Sequence, residues 1–123
     1  MRNLERNKRP FWYCLYNGET ELVDDDGYPT GERAVTYAKP VRVMGNVSAA
    51  SGNAYTERFG VGASYDKVIV LEGTDWPIGE TTALFVDKEP PADFDPADVE
   101  YDYRVVRVSP SLNQTAIAIS EVR

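Results

Sequence analysis

The sequence predicts an all-β fold, a small β-barrel of about six to eight short strands. Apolar and polar residues alternate along several short stretches, as they do in strands that bury one face. Turn residues separate these stretches at spacings of roughly 8–12 residues, which is typical of small barrels and sandwiches. No stretch keeps a helical period of apolar residues over the length of a helix. At 123 residues, the chain is expected to form one domain with a sizeable core.

The N-terminal half contains four predicted strands. Residues 11–16 are aromatic and apolar, and the Asn17-Gly18 pair that follows them is typical of a tight turn. Residues 20–23 are therefore expected to pair back onto this first strand. Asp24-Asp-Asp-Gly27 predicts the next turn, of type I or I′. The remaining two strands of this half are predicted over residues 32–38 and 41–47.

The fourth predicted strand has two distinct faces. Val41, Val43, Gly45 and Val47 are expected to lie on one face, with Arg42, Met44 and Asn46 on the other. After a long loop, residues 66–71 form a nearly continuous apolar run, as a buried strand does. The last three strands are predicted over residues 82–86, 100–109 and 114–122.

Two stretches are predicted to lie outside the strands. Residues 87–98 are rich in proline and acid, and they are expected to form a surface loop. Single helical turns are allowed by the sequence at 54–59 and at 96–99.

The charge is divided unevenly along the chain. The net charge is −7, but the segment 1–9 is basic, with Arg2, Arg6, Lys8 and Arg9 against Glu5. The rest of the chain, 10–123, is an acidic domain that repels phosphates, which disfavours nucleic-acid binding as the main function. A basic arm on an acidic body is suited to docking on an acidic neighbour. The alternative is a solvated, frayed terminus.

The sequence contains little catalytic material. It has no His, which excludes triads with an imidazole base, and Cys14 in an aromatic strand is expected to be a small buried apolar residue. Zinc-site spacing is absent. Asp24–Gly27 lacks the carboxylates that a calcium loop needs at its first and last positions, and Gly60-Val-Gly62 lacks the features of a phosphate loop. The sequence therefore predicts a protein that is not an enzyme and has no cofactor.

Compartment signals are few. The first ten residues lack the apolar core of a secretory signal, no apolar run is long enough for a transmembrane helix, and one cysteine allows no internal disulfide. We therefore expect a reducing compartment and no membrane partner.

A long segment of small side chains, 48–64, separates the fourth and fifth strands. Loops of this length are usually functional or disordered, yet this one contains no Pro and only two charges. We interpret it as a segment that is placed against a partner surface. Its residues up to the last glycine are Ser48, Ala49, Ala50, Ser51, Gly52, Asn53, Ala54, Tyr55, Thr56, Glu57, Arg58, Phe59, Gly60, Val61 and Gly62.

Three stretches resemble the head-closure, or stopper, proteins that join heads to tails in tailed bacteriophages. They are the opening MRNLERNKRPFWYCLY (1–16), the centre NVSAASGNAYTERFG (46–60) with YDKVIV (65–70), and the ending YRVVRVSPSLNQTAIAI (103–119). The similarity extends over nearly the whole chain. It is a similarity of pattern, without a catalytic signature.

The resemblance implies a small β-barrel subunit in a ring of six or twelve copies, between the portal-adaptor ring and a tail protein ring. Such a ring lies in the neck of the virion, where it retains the packaged DNA in the head and offers the tail its attachment face. Its assembly takes place in the host cytoplasm. In the related proteins a long loop between two barrel strands projects into the channel, and 48–64 is the matching segment. Because Arg58 is its one basic residue, closure on DNA would be mainly steric.

Several alternatives remain open from the sequence. Tyr55 and Phe59 are able either to pack against a neighbouring loop or to fold back on their own barrel. A subunit of the tail-completion or tail-terminator ring is the nearest alternative function. A small ligand-binding barrel is a further alternative, and it would need an enclosed apolar pocket.

Overall fold

A computed structural model describes residues 8–49 and 65–122, and none of the residues in these two ranges is helical. Eight strands form the fold: β1 Lys8–Cys14, β2 Tyr16–Val23, β3 Pro29–Tyr37, β4 Val41–Ala49, β5 Lys67–Glu72, β6 Ala83–Phe85, β7 Tyr103–Ser111 and β8 Gln114–Glu121. In these ranges there is consequently no helix that meets the length and apolarity needed to cross a membrane.

Six of the strands close into a barrel in the order β1-β4-β5-β8-β7-β6, with β6 pairing back onto β1. Every neighbouring pair in this barrel is antiparallel. The two other strands, β2 and β3, form a separate two-stranded hairpin. The predicted all-β barrel is therefore confirmed.

The barrel interior is filled by one apolar face of each strand. Inward-facing side chains from all six strands form the main core, because alternate residues of a strand point to the same side. The largest among its fully buried side chains are Phe11, Ile69, Leu71, Leu84, Ile117 and Ile119. Val43 and Val47 of β4 pack against this core, as their alternation predicts.

Gly45 lies where β4 approaches the core most closely. A Cβ atom added to Gly45 would lie 2.9 Å from Leu71 Cδ2, 2.9 Å from Phe11 Cε1 and 3.1 Å from Ile69 Cγ2. At such distances Leu71 and Phe11 would have to shift to admit a larger residue, so glycine is the residue that fits between β4 and the large side chains of β1 and β5.

One predicted pairing is wrong: β2 does not return onto β1. Both hydrogen-bonding edges of β1 are occupied inside the barrel, by β4 on one side and β6 on the other. No edge of β1 is left for β2, which pairs with β3 instead. Asn17 and Gly18 lie within β2 at a register shift, and Gly18 has φ +84.

The turn predicted at Asp24–Gly27 is confirmed, and it joins β2 to β3. The Asp24 carboxylate accepts hydrogen bonds from the backbone N–H groups of Asp26 and Tyr28, each at 2.9 Å. The N–H of Gly27 donates to the Asp24 carbonyl at 3.0 Å. Because the central residues Asp25 and Asp26 have negative φ, the turn is of type I and not of type I′.

The connection between β6 and β7 covers part of the outside of the barrel. Cys14, Ala83 and Phe85 point outwards and are buried there, with Phe94, Val99 and Tyr101 packed over them. The stretch 87–98 is thus a surface loop, as predicted, but one with an apolar underside. The allowed helical turn at 96–99 is a hydrogen-bonded turn, with Asp98 N–H donating to the Asp95 carbonyl.

Cys14 is completely buried in this outer cluster, as its position predicted. Burial raises the pKa of the thiol from 9.0 to about 11, which lowers the thiolate fraction at pH 8 by about 100-fold. We expect the native protein to react with a disulfide reagent at least about 100-fold more slowly than a free thiol. The urea-unfolded protein is the control and should react at the ordinary rate; equal native and unfolded rates would contradict the burial of Cys14.

Candidate functional site

The strand ends that adjoin the two segments with predicted functions lie at one end of the barrel. In an antiparallel barrel, each strand starts at the end where its neighbour finishes. The start of β1 at Lys8, the finish of β4 at Ala49 and the start of β5 at Lys67 are therefore close together, with Ala49 directly opposite Lys67. β8 finishes here as well, at Glu121 opposite Tyr103. We call this the polar end.

Four side chains form a hydrogen-bonded group at the polar end, centred on Asp87. Its carboxylate accepts a hydrogen bond from Arg9 Nη2 at 3.0 Å, from Lys67 Nζ at 3.0 Å on each oxygen, and from the Tyr103 hydroxyl at 2.8 Å. The Lys67 ammonium also lies 5.2 Å from the centroid of the Tyr103 ring. We call these four residues the Asp87 network.

Strand alternation explains why these residues meet. Arg9 lies opposite Gly45 and two residues before Phe11, so it is on the same side of β1 as this core residue. Lys67 lies opposite Ile119, which belongs to the core. Both cations are thus inward-facing residues of the last layer before solvent. Asp87 follows β6 and is held by Asp102, whose carboxylate accepts the N–H groups of Val86 and Asp87 at 2.8 Å each.

The electrostatics of the Asp87 network favour its charged form. Burial acts to raise the pKa of Asp87, but the hydrogen bonds from Lys67 and Tyr103 and the charge of Lys67 outweigh it, so the pKa is lowered from 3.8. Burial likewise acts to lower the pKa of Lys67, and the bonds to Asp87 and Tyr103 raise it above 10.5. Burial and the bond to Asp87 raise the pKa of Tyr103.

The other end of the barrel is closed by apolar residues. β5 and β6 are not neighbours in the barrel, so the connection between them has to cross this end. It places Ile78 in the main core, and Trp76 and Leu15 pack against the same core. The two ends therefore differ in chemistry, one an ion-pair cluster and the other an apolar plug.

The structure describes two residues of the predicted channel loop. Ser48 and Ala49 belong to β4, paired with Val68 and Lys67, so the strand extends two residues further than predicted. The remaining loop residues, from Ala50 to Gly62, lie outside the described residues, as does the allowed helical turn at 54–59.

The predicted docking arm is divided in the same way. Arg2 and Arg6 lie outside the described residues. Lys8 and Arg9 are residues of β1. Their side chains form ion pairs within the chain, Lys8 with Glu72 at 3.0 Å and Arg9 with Asp87 at 3.0 Å. The docking role of these four residues stays a prediction.

Sequence reasoning missed the Asp87 network. The sequence did contain a sign of it, because Arg9 and Lys67 are charged residues on the same side of their strands as the inward-facing apolar residues. Asp87 carries no such signal, since it lies in a loop and meets the two cations only through the barrel closure. Across 8–49 and 65–122, no group of three or more His, Cys, Asp or Glu side chains is arranged to hold a metal ion.

Low pH should weaken the Asp87 network, and Asp87→Asn tests this. A carboxylate whose folded pKa is lowered adds stability above its unfolded pKa, near 3.8, and this contribution is lost as the pH falls through the folded pKa. Asp87 is partly exposed, so we expect Asp87→Asn to cost about 1 kcal/mol at pH 7. Urea unfolding at several pH values should show the difference from wild type shrinking below about pH 4.

The control for this prediction is Asp75→Asn, which changes an exposed carboxylate outside the network. A cost of Asp87→Asn that is constant from pH 7 to pH 3 would show that the carboxylate charge is not what stabilises this end.

A surface groove lies beside the outer cluster. Its volume is about 790 Å³, and it separates Trp12, Lys39 and Pro40 from the proline-rich stretch that contains Glu89 and Phe94. It is outside the barrel, whereas the barrel interior is filled by side chains. Searches against protein-family models and against curated proteins found no match for this chain.

Proposed function

We propose that this protein is a head-closure subunit of a tailed bacteriophage. In this proposal, copies form a ring between the portal-adaptor ring and the tail ring, hold the packaged DNA in the head and offer the tail its attachment face. The observation that carries the proposal is the placement of the 50–64 insertion. It joins two adjacent barrel strands at the polar end, where the N-terminal segment also enters.

This placement fits a ring subunit for a physical reason. Ala49 and Lys67 are directly paired, so two or a few residues would suffice to connect them. The chain instead inserts 50–64 there, so the insertion is not required for barrel closure. A segment that the barrel does not need is free to contact something else, and in this proposal it reaches the channel at the ring axis.

The filled interior weighs against a ligand-binding barrel. Such a protein needs an enclosed pocket, but large side chains occupy the inward-facing positions, and even a Cβ at Gly45 would clash with Leu71 and Phe11. The acidic body also fits a channel through which DNA must leave, because its negative charge repels phosphates.

The proposal is tested by locating the protein in intact particles. Electron microscopy of virions of the encoding phage, with the subunit labelled by a fused tag, should show a ring at the head–tail joint. Infections that lack the protein should yield free tails, together with heads that have lost their DNA. A ring on the tail side, with DNA-filled heads unaffected, would support the tail-completion alternative. Absence of the protein from virions would overturn both.

A further inference from the structure

The β2–β3 hairpin has an exposed face that is both acidic and apolar. Val35 of β3 lies opposite Glu19 on this face, and Glu21 follows two residues along β2. The same hairpin exposes Val23 at 58% and Tyr28 at 69%. From 16 to 37 the hairpin has six carboxylates and one cation, Arg33, which pairs with Glu19. We call this surface, with the turn at 24–28, the acidic hairpin face.

This hairpin is unusual in standing apart from the barrel. β2 and β3 pair only with each other, and the hairpin is anchored at its base, where Tyr37 packs edge-on against Tyr101 at 5.8 Å between ring centroids. An isolated two-stranded hairpin is marginally stable in water. Apolar side chains exposed on such a hairpin are therefore expected to be covered in the assembled state.

A second surface of the same chain has the complementary composition. On the outside of the barrel, Trp12 lies opposite Arg42, and Pro10 lies opposite Met44. Met44 is 43% exposed, and Lys39 is exposed just before β4. Among the described residues, Lys39 and Arg42 form no ion pair. We call Trp12, Lys39, Arg42 and Met44 the basic outer face.

We propose that the acidic hairpin face of one copy docks on the basic outer face of the next copy. Both surfaces combine exposed apolar groups with uncompensated charge of opposite sign, which is the complementarity that a specific contact needs. Two hairpins cannot dock on each other, because their carboxylates repel. The contact is therefore head-to-tail, and repetition of such a contact closes into a ring when the rotation permits.

The groove next to the basic outer face sets the direction of docking. Its far wall has the carboxylates of Glu89 and Asp93, which repel the acidic hairpin. The hairpin is thereby directed onto the β4 side of the groove, towards Lys39 and Arg42. This inference deepens the proposed ring function and rests on it for its biological meaning, but the contact itself is testable on the purified protein.

Two charge reversals test the contact. The hairpin variant is Asp25→Lys with Asp26→Lys, which leaves the Asp24 carboxylate that organises the turn. The face variant is Lys39→Glu with Arg42→Glu. Wild type should self-associate in sedimentation velocity at low salt and dissociate as salt is raised. Each variant should weaken self-association at least about tenfold.

The matched controls make equal charge changes at exposed sites elsewhere, Asp75→Lys with Glu80→Lys and Arg104→Glu with Arg107→Glu. They should associate like wild type. Circular dichroism and thermal unfolding of every variant show whether the fold is retained.

Mixing the two variants is the decisive experiment. In a head-to-tail contact, the intact face of the hairpin variant still accepts the intact hairpin of the face variant, and the two reversed surfaces are again opposite in charge. The mixture should therefore regain the self-association that each variant alone has lost, with the two variants in equal amounts in the complexes. Wild-type protein that stays monomeric at its highest soluble concentration, or variants that stay monomeric when mixed, would overturn the contact. A ring observed in virions together with either result would leave the proposed function standing and remove only this inference.

Discussion

Phe11→Ala is expected to lower the free energy of unfolding by about 3–5 kcal/mol. Phe11 is fully buried, and it lies in β1, which contacts both β4 and β6. Removing its ring would leave a cavity between three barrel strands that hydrogen-bonded backbones keep from collapsing. Because a domain of this size is stable by about 5–15 kcal/mol in total, the thermal midpoint should fall by on the order of 10 °C.

The control for Phe11→Ala is Tyr28→Ala, which removes an aromatic ring of similar size from an exposed position in the hairpin turn. It should change the free energy of unfolding by less than about 0.5 kcal/mol when measured in dilute solution. Equal costs for the two variants in urea unfolding would contradict the placement of Phe11 at the centre of the barrel.

A double-mutant cycle sharpens this prediction, because Phe11 and Gly45 are in direct contact. Gly45→Ala alone should cost about 1–3 kcal/mol, since the new Cβ meets Phe11 and Leu71. In the Phe11→Ala background, the clash with Phe11 is gone and the one with Leu71 remains. The double variant should therefore be more stable than additivity predicts, by about 0.5 kcal/mol or more.

The sequence predicted the parts of the fold that depend on local pattern. All eight strands were anticipated, with ends displaced by a few residues, because alternation and turn residues are read from neighbouring positions. The alternation placed Val41, Val43, Gly45 and Val47 on one face of β4, and Val43, Gly45 and Val47 do face the core, whereas Val41 is 44% exposed. The turn at Asp24–Gly27 was also predictable, since a short carboxylate bonding to nearby N–H groups is a local interaction.

Features set by barrel closure were not predictable in this way. Asn17-Gly18 has the composition of a hairpin turn, yet the two edges of β1 are filled by β4 and β6, which are far along the chain. The Asp87 network has the same origin, because Arg9, Lys67 and Asp87 come from β1, β5 and the end of β6. Only the closed barrel brings these three residues together. The alternation along each strand shows that Arg9 and Lys67 are on the inward side, but it does not show that they share Asp87 as a partner.

Replacing residues 50–64 with Asn-Gly is expected to leave the barrel folded while most heads lose their packaged DNA. The replacement keeps Tyr65, which packs against Val68 and Ala118, and Asp66, whose carboxylate accepts the Glu121 N–H at 2.8 Å. Since Ala49 and Lys67 are already paired, a four-residue connection is a normal hairpin length. The thermal midpoint of the purified variant shows whether folding is retained.

The control for this replacement is a variant in which a Gly-Ser segment of the same length replaces 50–64. It distinguishes the effect of the insertion's length on DNA retention from the effect of its side chains. Each variant is supplied to the encoding phage that lacks its own copy, and DNA-filled heads are counted by electron microscopy. If length alone closes the channel, the Gly-Ser variant retains DNA and the short variant does not. If the insertion instead packs on its own barrel, the short variant loses thermal stability but still yields filled heads, and the proposed role in DNA retention is wrong.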